Sequence, residues 1–283
     1  MNYECLICQV NALHKRMDRF EIAEEKRNQL VIDMIGDIAK VNPNNSYSPE
    51  ITRNLIERMK NISTVTDPYQ KEKEESNREL MARYDEFKEK VESSSNKFDT
   101  ALRLAIAGNI IDFGPDHKFN VNETINRVLS SDFAIDHSEQ LKAEIEKANT
   151  ILYLGDNCGE IVLDKLFLET LGHPNVWFAV RNKPVLNDAT EKEALEVGID
   201  KVAKIISNGD DIPSTLLHRA GKEFMELYNS ADLIISKGMG NYEGLMDETD
   251  PRLFFLLMIK CHIIGNKIGA ENSDFVVKRC SSN

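Results

Sequence analysis

The stretch Ile151-Leu-Tyr-Leu-Gly-Asp-Asn-Cys-Gly-Glu160 decides the fold of this 283-residue chain. Four apolar residues in a row are typical of a short strand buried on both faces, and the glycines and polar residues after them indicate a tight turn. The next stretch, 160–171, is typical of an amphipathic helix. The segment therefore predicts the strand, turn and helix that begin a βαβ unit.

The same alternation continues to the end of the chain. Further short apolar runs lie at 176–180, 202–206, 233–236, 253–259 and 275–278, the last as an edge strand. Helical patterns at 189–197 and 216–229 lie between them. The sequence therefore predicts an α/β fold with a Rossmann-like parallel or mixed sheet flanked by helices.

The residues before 149 show a different pattern, with apolar positions at helical spacing and few strand signals. Helices are predicted at 12–40 (one or two), 48–60, 69–91, 96–107, 121–129 and 137–148. We therefore predict a mostly α-helical N-terminal region at 1–148, and an α/β domain at 149–283 that carries the chemistry.

The overall charge is acidic. Lys and Arg total 35 against 47 Asp and Glu, a formal net charge of −12. That balance argues against a nucleic acid partner, because phosphate-binding surfaces are basic, and it means that an anionic substrate needs a local cation. The chain has neither a basic start followed by an apolar core nor an apolar run of about eighteen residues, so we predict a cytoplasmic protein without a membrane segment.

Polar side chains follow two successive predicted strands. Asp156 and Asn157 come after the first strand, and Asn187 and Asp188 lie in the loop after the second. Because the carboxyl ends of parallel strands meet at one edge of a sheet, both carboxylates could project into one crevice. Carboxylate and amide oxygens suit Mg²⁺, Mn²⁺ or a similar divalent ion. The same residues could instead cap the helices that follow them.

A third strand end carries a lysine, in Lys237-Gly-Met-Gly-Asn241. We predict that its ammonium group lies at the lip of the crevice, where it could contact an anion, with Asn241 as an additional donor. The alternative is a lysine that only extends its charged end to solvent. The pair Gly238-x-Gly240 lacks the third glycine and the later acidic residue of a dinucleotide-binding motif, so NAD binding is weakly supported.

Taken together, these three strand ends resemble the damage-control phosphatase family, a family of metal-dependent phosphatases. Asp67-Pro68-Tyr69 and the stretch from Gly108 to Gly114, which contains Asn109 and Asp112, extend the resemblance into the N-terminal half. Cys5-x-x-Cys8 resembles the N-terminal CxxC of the prokaryotic subfamily. The order and spacing of these motifs are what carry the resemblance.

The resemblance implies a metal ion held by Asp156, Asn157 and Asp188, with Lys237 in contact with the substrate phosphate. It adds four candidates for the surrounding substrate site, namely Glu160, Asn109, Asp112 and Asn241. The implied ions are Co²⁺, Ni²⁺, Mn²⁺ or Mg²⁺. The implied substrates are small phosphorylated metabolites, either sugar phosphates or damaged metabolite phosphates. The oligomeric state is not predicted.

One other mechanism of phosphoryl transfer and two other functions remain open at this stage. Asp156 could be a nucleophile that forms an aspartyl-phosphate, as in the haloacid dehalogenase-like phosphatases, but those carry a second Asp two residues later, where this chain has Cys158. The protein could be a non-catalytic metal- or metabolite-binding module. It could also be an S-adenosylmethionine-dependent carboxyl methyltransferase, an activity described for some relatives.

The five cysteines are an odd number, and they argue against a disulfide framework. Cys5 and Cys8 could share a metal ion only with distant partners such as Cys261 and His262, so packing is the alternative. Cys158 lies in the presumed active loop, where a helix N-terminus and a cation could lower the pKa of its thiol.

Overall fold

A computed structural model describes residues 1–108 and 121–280. The strands within these residues are β1 (Ile135–Asp136), β2 (Ile151–Leu154), β3 (Val176–Val180), β4 (Lys204–Ser207), β5 (Leu233–Lys237), β6 (Leu253–Met258) and β7 (Phe275–Arg279). They form one sheet in the order β1-β7-β6-β5-β2-β3-β4. All neighbours pair in parallel except β6 and β7. The predicted α/β class with a mixed sheet is confirmed.

Helices surround this sheet and make up most of the N-terminal half. They are α1 (Tyr3–Asn11), α2 (Leu13–Arg19), α3 (Glu24–Ile38), α4 (Ser48–Lys60), α5 (Gln70–Met81), α6 (Tyr84–Ser93), α7 (Lys97–Gly108), α8 (Val121–Ser130), α9 (Ser138–Lys147), α10 (Glu160–Leu171), α11 (Glu191–Val197), α12 (Lys222–Ser230), α13 (Gly238–Leu245) and α14 (His262–Ile268), with a 3₁₀ turn at Ile199–Lys201. In the part of the chain that the structure describes, no helix is both long and apolar enough to cross a membrane.

The sheet is buried on both faces, which explains the uninterrupted apolar runs in the sequence. Along β2, Ile151 and Tyr153 pack into one core with α7 and α10, while Leu152 and Leu154 pack into a second core with α12 and α14. All four side chains are buried. Successive residues of this strand therefore serve opposite helix layers.

A third, smaller core lies among α2, α3 and α4 and includes Val185, from the loop after β3. The helical N-terminal region therefore packs directly on the loop that carries Asp188. The sheet in turn includes β1, which lies before the predicted boundary between residues 148 and 149. The division into two regions at that point stays a prediction.

The order of the strands places a crevice at one edge of the sheet. From β2 the chain passes outward through β3 to β4 and then returns to β5 on the other side of β2. In open α/β sheets, ligands bind beyond the carboxyl ends of the strands at such a reversal. In this chain, the segments after β2, β3, β4, β5 and β6 all contribute residues to a crevice there.

Candidate active site

The loops after β2 and β3 are joined by backbone hydrogen bonds. The N–H of Cys158 donates to the carbonyl of Asn187 at 2.9 Å, and the N–H of Ala189 donates to the carbonyl of Asp156 at 2.9 Å. Asn157 and Asp188 form an antiparallel bridge between the two loops. The structure therefore brings Asp156, Asn157 and Asp188 together at one point.

The conformation of the loop after β2 depends on two glycines. A Cβ atom on Gly155 would lie 2.6 Å from the ring of Phe178, so the loop leaves β2 where a side chain does not fit. Gly159 has a φ of +81°, which favours glycine, and its N–H donates to Oδ1 of Asn77 at 2.6 Å. The turn into α10 is therefore fixed both by its own backbone and by a side chain of α5.

A crevice of about 220 Å³ opens above these residues. Its walls are Gly108, Asp156, Asn157, Leu186, Asn187, Asp188, Pro213, Met239, Gly240 and Lys260. Met239 and Gly240 belong to the first turn of α13, so the partial positive charge of a helix N-terminus lies at the crevice. Lys260 lies two residues beyond the end of β6 and is exposed. The crevice therefore combines acidic oxygens with groups that attract an anion.

The two carboxylates at the base of the crevice lie in an unfavourable environment for negative charge. Burial raises the pKa of Asp156 well above its usual range, and Asp188 and Glu160 raise it further. Burial also raises the pKa of Asp188, although the guanidinium of Arg181 opposes the shift. Buried carboxylates of this kind are stabilised by a bound cation.

The donor set fits a divalent ion that prefers oxygen. Nδ2 of Asn157 donates to Oδ2 of Asp156 at 3.2 Å, which leaves the amide oxygen as the atom that could bind a cation. Within residues 1–108 and 121–280, no three His, Cys, Asp or Glu side chains form a group that could hold a metal ion. The third protein ligand at this site would therefore be the amide of Asn157, as the resemblance implies.

Lys237 does not lie at the lip of the crevice, and that part of the prediction is wrong. Its side chain is 0% exposed. Its Nζ lies 2.5 Å from Oε1 of Glu160 and 2.5 Å from Oδ1 of Asp164, and it donates to the carbonyl of Ala105 at 2.9 Å. Burial alone would lower the pKa of Lys237, but the two carboxylates raise it above its usual value. The three ammonium protons are thus directed at three buried oxygens.

The side chain of Glu160 belongs to this same buried cluster, and the side chain of Asn241 makes a separate set of hydrogen bonds. Both side chains are 0% exposed. Nδ2 of Asn241 donates to the carbonyls of Gly155 and Lys237, at 3.0 and 2.8 Å, while its Oδ1 accepts from Arg181. Asn241 thus ties the β2 loop to α13 from below the crevice. The substrate-binding roles of Glu160 and Asn241 stay predictions.

Asn109 and Asp112 lie outside the residues that the structure describes, and their predicted roles also stay predictions.

Three charged residues of the site were missed by the sequence reasoning. Lys260 lines the crevice, Arg181 bonds to the acids beneath it, and Asp164 shares the ammonium of Lys237. Burial raises the pKa of Asp164 to about 7, against the opposing effect of Lys237. A signal for Asp164 was available: Glu160 and Asp164 are four residues apart with three apolar residues between them, so they share one face of the helix, and burying that face requires a cation.

The thiol of Cys158, in the loop after β2, differs from its predicted state. Cys158 is buried, and burial raises the pKa of its thiol well above the usual value, opposite to the predicted lowering.

The distant partners proposed for the pair Cys5 and Cys8 do lie near that pair, since Cys5, Cys8, Cys261 and His262 line one groove of about 630 Å³. Their side chains do not form a metal-holding group among the described residues.

The fold and the crevice together define a Rossmann-like α/β protein with buried carboxylates beside the N-terminus of a helix. A family model described as the damage-control phosphatase ARMT1-like domain matches residues 1–276. The chain therefore belongs to the damage-control phosphatase family, as its motifs predict.

Individual relatives agree with this membership. The chain is 33% identical over 287 residues to damage-control phosphatase PH1575 of Pyrococcus horikoshii, covering 99% of this chain and 98% of that protein. It is 29% identical over 262 residues to a damage-control phosphatase of Archaeoglobus fulgidus, covering 90% of each. The fold is also similar to the crystal structure of PH1575, a DUF89 family protein, with a TM-score of 0.89 at 30% identity over 99% of both chains.

Proposed function

We propose that this protein is a metal-dependent phosphatase that hydrolyses small phosphorylated metabolites. The observation that carries the proposal is the pairing of the β2 and β3 loops, which gathers Asp156, Asn157 and Asp188 at the base of a crevice also lined by Lys260. The family membership and the names of the relatives support a phosphatase over a binding module or a methyltransferase.

The residues of the crevice have separable tasks in this proposal. Asp156, Asn157 and Asp188 would hold the metal ion. A divalent ion supplies Lewis-acid stabilisation of the negative charge that develops on a phosphoryl group. Lys260 and the N-terminal turn of α13 attract and orient the phosphate oxygens. Asp156 or Asp188 also orients the attacking water and accepts its proton.

The size of the crevice favours a small substrate. Its volume of about 220 Å³ is below the ~300–1,000 Å³ of pockets that enclose drug-sized ligands. Sugar phosphates and the phosphates of damaged metabolites are in the suitable size range. Oxygen donors suit Mg²⁺ and Mn²⁺, and Co²⁺ and Ni²⁺ bind such sites with higher intrinsic affinity. All four ions are therefore candidates.

The covalent route through Asp156 is less compatible with this loop. The residue two positions later is Cys158, whose thiol is buried and has a raised pKa, so it does not replace the second acid of an aspartyl-phosphate enzyme. Trapping a phosphoprotein that is labile to hydroxylamine would restore that route.

The test is phosphate release from p-nitrophenyl phosphate and a panel of sugar phosphates. The protein is first treated with a chelator and then supplied with Co²⁺, Ni²⁺, Mn²⁺ or Mg²⁺ in turn. We expect turnover only with an added ion. Asp188→Asn should lower that turnover by about 100- to 1,000-fold, since it removes a charged group of the reaction site.

The matched control is Asp132→Asn, at an exposed aspartate outside the crevice, which should retain full activity. Equal turnover in chelator would disprove the metal dependence. Metal binding without turnover on any ester would instead establish the binding module.

A further inference from the structure

Arg181 lies directly behind the proposed metal ligands. It follows β3, and its side chain is 3% exposed. Its Nε donates to Oδ2 of Asp188 at 2.7 Å, and its guanidinium lies 3.6 Å from Oδ1 of Asp156. Its other two nitrogens each donate to a neutral oxygen: Nη2 to Oδ1 of Asn241 at 3.0 Å and Nη1 to Oγ1 of Thr215 at 3.3 Å. The arginine is therefore held in one place by four partners.

A fixed cation at this position opposes the binding of a second cation. A guanidinium is always protonated, and at buried positions charges interact with little screening. A site built only to bind a metal ion tightly would gain from a neutral residue here. The neutral anchors at Thr215 and Asn241 nevertheless hold the charge within reach of both carboxylates.

The net charge of the metal-loaded site gives a reason for keeping a cation beside the metal ligands. Ligating carboxylates are ionised, so Asp156, Asp188 and Arg181 together carry a net charge of minus one in the loaded site. A divalent ion brings the total of these groups to plus one, and without Arg181 that total would be zero. The buried cluster of Lys237, Glu160 and Asp164 contributes the same charge in either case, so it does not affect the comparison. Without Arg181, the attraction of the loaded site for a phosphate dianion would depend on Lys260 and the helix end alone.

We infer that Arg181 is a positioning residue that weakens divalent-ion binding and strengthens phosphate binding in the loaded site. The inference rests on the proposed function, because it assumes that a divalent ion binds at Asp156 and Asp188. It predicts opposite changes in two affinities, whereas a residue that only supports the fold would weaken both.

The test compares Arg181→Gln, which removes the charge but can still donate hydrogen bonds, with Arg181→Lys, which keeps the charge. Binding of Mn²⁺ to the chelator-treated protein is measured by titration calorimetry, and binding of inorganic phosphate is then measured on the Mn²⁺-loaded protein. Removing a buried unit charge at this range should change each affinity by about tenfold or more. We expect Arg181→Gln to bind Mn²⁺ more tightly and phosphate more weakly, and Arg181→Lys to remain near the wild type in both.

Weaker Mn²⁺ binding in both variants, or a Mn²⁺ affinity that is unchanged in Arg181→Gln, would overturn the inference while leaving the proposed function intact. If the wild type itself binds none of the four ions, the proposed function and this inference both fail. Circular dichroism of each variant establishes that it is folded. Should Arg181→Gln not fold, an Arg181→Lys protein that shifts either affinity by tenfold contradicts the inference.

Discussion

Replacing Lys237 with methionine tests whether this lysine supports the floor of the crevice or contacts the substrate. The substitution removes an ammonium that lies 2.5 Å from Glu160 and 2.5 Å from Asp164. All three side chains are 0% exposed, so water does not replace the lost partner. Removing one partner of a buried ion pair costs about 3–5 kcal/mol, a large share of the ~5–15 kcal/mol that stabilises a typical protein.

The assay is thermal unfolding followed by circular dichroism, with Lys260→Met as the matched control. We expect Lys237→Met to lower Tm by about 10 °C, from the ~2–4 °C that each kcal/mol shifts a chain near this size. Lys260 is exposed, so Lys260→Met should change stability by less than about 0.5 kcal/mol while lowering kcat/KM for phosphate ester hydrolysis by about tenfold or more.

The role of Lys237 can be refuted by comparing the two single variants and checked with a double variant. If Lys237→Met unfolds at the wild-type temperature but is inactive, and Lys260→Met is fully active, then Lys237 contacts the phosphate and the structural interpretation is refuted. Adding Asp164→Asn to Lys237→Met provides an internal check, because it removes one of the two carboxylates left without a cation. The double variant should recover part of the lost Tm.

Three further predictions concern other parts of the site and its surroundings. Burial raises the pKa of Glu243 to about 7, so between about pH 4.5 and 7 the folded protein holds a proton that the unfolded chain has lost, and stability falls as pH rises. Glu243→Gln should remove up to about 3 kcal/mol of this fall in urea unfolding, and an unchanged pH profile would contradict the assignment. In Gly240→Ala the new Cβ would lie 2.7 Å from the carbonyl oxygen of Pro213, so kcat should drop by about 10- to 100-fold; wild-type kinetics would show that the crevice wall yields freely. Asn77→Ala leaves the buried N–H of Gly159 without its acceptor and should cost about 1–3 kcal/mol by urea unfolding, a loss that a wild-type midpoint would exclude.

The strands were predictable because the sheet is covered on both faces. Each strand then appears as a short apolar run, and the runs at 151–154 and 176–180 coincide with β2 and β3. The loops at Asp156 and Asp188 were predictable for a related reason, since successive parallel strands end at the same edge. The structure does bring these loops together, although their roles in binding and catalysis stay predictions.

The elements that were missed have weak local signals. The two-residue strand β1 is too short for an alternating pattern, and it exists because β7 offers a free edge to pair with. The helix α13 has the sequence GMGNYEGL, whose three glycines disfavour a helix by about 1 kcal/mol each. Packing against β6 and α4 provides the stabilisation that the helix propensity of this sequence does not. Tertiary packing decided these elements, and a single sequence does not show it.

The positions of the two lysines follow from where each strand ends. Lys237 is still part of the ladder, because it pairs with Leu256 of β6. Its side chain therefore stands perpendicular to the sheet, under the helix layer that contains Glu160 and Asp164. Lys260 lies four residues beyond Leu256 and two beyond the last residue of β6, so it has left the ladder and reaches the crevice. Since ligands bind beyond the strand ends, a lysine in the final ladder position is directed into a layer, and a lysine just after the strand is directed at the ligand. This pairing places Ser236 opposite Phe255, so the apolar run at 253–259 extends four residues further than the run at 233–236, and that difference in length separates the two roles.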